Sequence, residues 1–139
     1  MNLKFELVDG NSEQILVLYD LLKNRKHFIS HNELPRFNDH KNFVLNHPYR
    51  FWYLVKNLEN YIGTFNIKFD NSIGLNLKVV EKKILIECFD FINKNFLPKP
   101  PIKSITPNFF YVNVSASNIK LIDIMNEINM SKIQISYKI

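Results

Sequence analysis

In the stretch NSIGLNLKVVEKKILIECFDFINKNF, Asn71 to Phe96, the apolar period changes from about two to about 3.6 with no glycine or turn signal between Leu77 and Ile84. A strand must therefore run almost straight into a helix. Ile84, Leu85, Cys88 and Ile92 mark the helix face, and the proline-rich LPKPPIK that follows must be extended and exposed. The remaining segments fit round this junction. LKFELV alternates as a strand with one buried face. Asn11 and Gln14 match a capping box, and Ile15, Leu18, Tyr19 and Leu22 predict a first helix to about Asn24. NDHKNFVLNH predicts a short second helix that Pro48 ends. FWYLVK, YIGTFNIK and SIGLNLK form a three-strand meander. FFYVNV predicts a further strand, SNIKLIDIMNEIN a helix capped by Ser117 or Asn118, and KIQISYKI a terminal strand.

The 139 residues suit one domain, 1–139, with one core. With 46% hydrophobic and 22% charged residues the chain is globular rather than disordered. No apolar run approaches the roughly 20 residues of a bilayer span. The N-terminus alternates like a strand instead of showing a basic-then-apolar leader, so a cytoplasmic location is expected. A formal charge of +5 admits nucleic acid as a partner, but no basic stripe or stacking platform supports it. The expected partners are a small molecule or a second copy of the chain.

Isolated chemical candidates are few. His27 and His31 stand four apart, yet no cysteine or paired carboxylate completes a ligand set, and no metal is expected. The one cysteine, Cys88, falls on an apolar helix face where burial keeps a thiol inert. In YRFWY, Phe51 and Tyr53 face opposite to Trp52, so at least one side of that strand is core.

The order of elements resembles that of the GNAT acyltransferases. YIGTFNIK and SIGLNL are similar to the family's third and fourth strands, each with an apolar-Gly pair, and YVNVSASNIKLIDIMNEINMSKIQI to its closing strand, helix and strand. The resemblance implies an α+β fold, three-layer α/β/α, about a central mixed, mostly antiparallel twisted sheet. It also implies acetyl-coenzyme A as cofactor, held by Leu75, Asn76, Leu77 and Lys78 on the fourth strand and by Asn113 and Asn118 where the family has asparagines. The acceptor would be a small primary amine such as an amino-sugar, met by His31 and Glu33 in the loop between the first helices.

Two departures divide the functional reading. The family's glycine-rich pyrophosphate loop is replaced by KVVEKK, which has no glycine for the positive φ values that phosphate cradling uses. Lys78, Lys82 and Lys83 still attract phosphate, with Glu81 opposing them, so coenzyme binding is expected to be weak or absent. Met125 stands where the family commonly has a proton-donating tyrosine. The chain is thus either an N-acyltransferase or a catalytically inactive GNAT-like binding or dimerisation module.

Overall fold

The computed structural model describes residues 2–28 and 33–139. The elements are β1 (Leu3–Leu7), α1 (Ser12–Lys23), α2 (Phe37–Leu45), β2 (Phe51–Asn57), β3 (Asn60–Ile67), β4 (Ser72–Leu77), α3 (Lys82–Asn95), β5 (Tyr111–Val112) and α4 (Ile119–Glu127). One five-stranded sheet runs in the order β1-β2-β3-β4-β5, antiparallel except for the parallel β4–β5 pair.

Alternation along each strand feeds two cores. Trp52 and Leu54 on β2 meet Ile15, Leu18 and Leu21 of α1 and Val44 of α2. On the opposite face Val55, Phe65, Ile67 and Ile73 meet Ile84, Leu85, Cys88 and Ile92 of α3 and Leu121 and Ile124 of α4. Both faces of the YRFWY strand are therefore core, with Phe51 and Tyr53 against the second cluster. The α/β/α layering expected from the sequence is the layering observed.

The α1 boundary shows how much local chemistry the turn carries. Asn11 Oδ1 accepts from the Gln14 N–H at 2.9 Å, which is half of a capping box. Gln14 does not reach back to the Asn11 N–H. Its buried carboxamide accepts from the Asp9 and Gly10 amides and donates to Glu6 and the Leu7 carbonyl, which ties β1 to α1.

Between Val55 and Lys56 the register with β3 shifts by a residue. Gly63, just beyond, pairs with Leu77. A Cβ there would lie 2.5 Å from Leu77 Cδ2 and 2.7 Å from the Asn76 carbonyl oxygen, so β3 and β4 come close at this end only because residue 63 has no side chain.

Two expectations are corrected. FFYVNV gives only the two-residue strand Tyr111–Val112, and KIQISYKI gives no strand: residues 130–139 have neither helix nor strand. Alternation makes a residue set suitable for a sheet, but a strand exists only where a neighbour takes up its backbone hydrogen bonds. Among the described residues no strand pairs with that segment.

Candidate functional site

The site begins where β4 and β5 part. They pair at Ser72–Tyr111 and Ile73–Val112 and nowhere beyond. The register with β3 shows what this leaves free. Lys68 donates to the Ser72 carbonyl and Lys78 to the Ile62 carbonyl, so the alternate residues Ser72, Gly74, Asn76 and Lys78 turn their backbone groups towards β3. Ile73, Leu75 and Leu77 turn theirs the other way. Ile73 finds β5, whereas the amides of Leu75 and Leu77 face the gap.

A cavity of about 290 Å³ occupies this gap, bounded by β4, the end of α1 with the segment after it, and the start of α4. Leu75, Leu77, Val80 and Leu121 form its apolar part, and Arg25, Lys26, Lys78 and Lys120 its cationic part. Lys78 Nζ pairs with Asp20 at 3.1 Å, while the Asn76 side chain donates to the Leu21 carbonyl and fastens β4 to α1. Burial lowers the Arg25 pKa and raises that of Tyr49, whose hydroxyl Arg25 partly offsets. At the mouth His27 Nδ1 lies 2.8 Å from Ser117 Oγ, so one hydrogen bond spans from the segment after α1 to the approach to α4.

The expected site residues divide. Leu75, Asn76, Leu77, Lys78 and Asn118 line one cavity. Asn118 also caps α4, accepting from the Leu121 N–H at 3.3 Å. Asn113 is exposed and stands outside the lining, because β5 ends one residue before it. Glu33 lines an adjoining pocket of about 160 Å³ with Leu22, Phe28 and Pro35, and Arg25 belongs to both pockets. His31 lies outside the described residues.

Arg25, Lys26, His27 and Lys120 were not singled out as site residues by sequence reasoning. They come from an unpatterned segment and an exposed helix turn, and only the fold brings them to β4. The RKH run was the one signal available.

Local geometry bears on both sequence departures. Among the described residues none between Leu77 and Lys82 has a positive φ. α3 instead starts at Glu81 without a side-chain cap, which leaves its first amides free. Met125 packs against the larger core, and no tyrosine lines the cavity. Cys88 is fully buried, with its thiol pushed up to about 12 by desolvation. Among the described residues no three His, Cys, Asp or Glu side chains converge as metal ligands, and no helix is long and apolar enough to cross a membrane.

Strand order, the single parallel pair and the gap it opens are those of a GNAT-like fold. No family model matches the sequence, and no curated protein matches it either. Solved structures do. An aminoglycoside N-acetyltransferase, AAC(6')-Ib11, is similar with a TM-score of 0.60 at 12% identity, over 91% of this chain and 84% of that one. A dodecameric spermidine N-acetyltransferase from Vibrio cholerae gives 0.58 at 12%, over 91% and 78%. A possible acetyltransferase from Clostridium difficile 630 gives 0.55 at 10%, over 100% and 99%. At these identities the likeness is one of fold.

Proposed function

We propose that the chain is an acyltransferase-like protein that transfers an acetyl group from acetyl-coenzyme A to a small primary amine such as an amino-sugar. The observation that carries this reading is the pair of amides, Leu75 and Leu77, turned into a cleft rimmed by four cationic side chains. Acetyl-coenzyme A brings an activated thioester carbonyl and a strongly anionic tail. The cleft suits both ends unequally. Leu75, Leu77, Val80 and Leu121 exclude water around the β4 amides, whose N–H groups are placed to stabilise charge growing on a carbonyl oxygen. For the phosphates the chain offers Lys78, Lys120, Arg25 and Lys26 beside the start of α3 in place of a glycine-rich loop, which favours weaker and less directional binding.

For the acceptor side this reading keeps Glu33 and His31 in the roles the resemblance implies and adds His27, an imidazole of the cleft lining, as the group that would take a proton from an incoming amine. The Asn66 Oδ1 is buried without a donor, its carboxamide lying over Gly74 on the α1 side of the sheet. An amine N–H is the chemistry that would satisfy it.

A second reading, an inactive binding or dimerisation module, is supported by the lack of a positive φ among the described residues between Leu77 and Lys82 and by Met125 in the core. Thermal melting with and without acetyl-coenzyme A separates the two, because a ligand that binds only the folded state raises its stability by mass action. The enzymatic reading expects a rise of several degrees that Lys78→Ala or Lys120→Ala reduces. An unchanged melting temperature at millimolar coenzyme would leave only the module.

A further inference from the structure

Among the described residues Arg25 alone lines both the cleft and the adjoining pocket. It lies just after α1, where its Nε–H donates to the His27 carbonyl at 2.8 Å and its guanidinium sits 5.4 Å from the centre of the Phe28 ring. One N–H and one face are thereby fixed. The planar fork is held in place, and its two terminal nitrogens are left to donate elsewhere.

The surroundings supply little charge to balance it. The side chain is half-buried, and desolvation lowers its pKa against the opposing influence of Tyr49. Among the described residues the one ion pair is Lys78 with Asp20, in which Arg25 takes no part. The sequence ISHN at 29–32 contains no acid either. Among the described residues the two linings together carry Lys23, Arg25, Lys26, Lys78 and Lys120 against one carboxylate, that of Glu33, which is exposed where water and salt screen it. A guanidinium drawn out of water in cationic company favours an oxyanion, which its two terminal nitrogens can grip together.

Position decides which ligand brings that oxyanion. The adjoining pocket, at about 160 Å³, is smaller than the roughly 300 Å³ at which complete small-molecule sites begin. It therefore takes one end of a ligand whose other end lies in the cleft. Its lining comes from the end of α1 and the segment before α2, with no residue of β4, α3 or α4 among those described. An acyl donor held by β4 amides, with its phosphates towards α3, is gripped by other elements.

We propose that the acceptor amine carries an oxyanion, a carboxylate or a phosphate, which Arg25 holds in this pocket while the amine end occupies the cleft beside His27. This names a substrate class within the acyltransferase reading and rests on it. Arg25 is then a specificity-determining residue, and polycationic amines are disfavoured because the same cations repel them.

The test titrates the full chain, without coenzyme, with 4-aminobutyrate, O-phosphoethanolamine, 1-aminobutane and spermidine in a calorimeter. Expected is binding of at least one acidic amine at least tenfold tighter than 1-aminobutane or spermidine, the stronger of the two acidic arms telling carboxylate from phosphate. Arg25→Gln should bring that ratio close to one, and Arg25→Lys should restore only part of it, because an ammonium keeps the charge without the fork. With acetyl-coenzyme A present, the preferred acidic amine should also release thiol with a kcat/KM at least tenfold above that of 1-aminobutane. A chain that acetyl-coenzyme A stabilises, but that takes 1-aminobutane or spermidine as tightly as both acidic amines, overturns the proposal and leaves the acyltransferase reading standing. Selectivity for an acidic amine in a chain whose melting ignores acetyl-coenzyme A supports the oxyanion site and overturns the acyltransferase reading instead. A preference unchanged in Arg25→Gln, or no binding of any of the four amines at about 10 mM, overturns the proposal.

Discussion

The two ends of the sheet are built on different terms. From β1 to β4 every strand pairs with its sequence neighbour along most of its length, five positions for β1–β2, seven for β2–β3 and five for β3–β4. At the other end β4 and β5 share two positions, although a whole helix and a proline-rich connector separate them in sequence. Short turns close β2–β3 and β3–β4, whereas β1–β2 and β4–β5 each join strands separated by helices, and of those two only β1–β2 is paired along the whole length of β1. The zipped end supplies stability and the parted end supplies a cleft.

That contrast can be attacked from either end. The largest effect is expected in the zipped half, where Phe65 on β3 is fully buried: Phe65→Ala should lower unfolding free energy by about 3–5 kcal/mol in a urea titration. Next comes the root of the parting. Asn71 is fully buried with a φ of 71°, accepts from the Lys99 N–H, and donates to the Lys99 and Pro107 carbonyls. Asn71→Ala should cost about 3 kcal/mol by stranding these groups, and Asn71→Gly about 1 kcal/mol less because glycine accepts the positive φ. A matching loss in both would remove the backbone part of this account.

A smaller effect is expected from His40, buried beneath α1. Its Nε2 lies 2.9 Å from the Ile15 carbonyl, so the neutral ring donates there, and burial lowers its pKa. With the folded-state value below that of the unfolded chain, this stability is present above about pH 6.5 and is lost as pH falls below it. Melting temperatures should show that acid-side loss, and His40→Gln should flatten it. The smallest stability change is expected at the parted end: Lys78→Ala breaks an exposed pair with Asp20 and should cost less than about 1 kcal/mol. Its measurable effect should be on acetyl-coenzyme A affinity, read by calorimetry.

How far the sequence disclosed all this follows the same divide. The strands β2 to β4 were legible because period-two alternation and short polar turns are local signals, and α1 because Asn11 and the spacing of Ile15 and Leu18 are local too. The cleft was visible only in its β4 wall, through residues Leu75 to Lys78. Arg25, His27 and Lys120 reach it by tertiary placement, which no pattern in their own segments encodes. The alternation of Ile133, Ile135 and Tyr137 was read as a strand of this chain because a sequence specifies which side chains share a face but not which backbone will lie alongside.

The bare α-carbon at Gly63 has a consequence on the opposite flank of β4. By leaving room for the Leu77 side chain and the Asn76 carbonyl, it lets the far end of β4 lie against β3, on the strand whose Leu75 and Leu77 also line the cleft. A single methyl at position 63 should displace the Leu77 side chain, one of the cleft's lining residues, so the shape of the opening depends on an atom that is missing behind it.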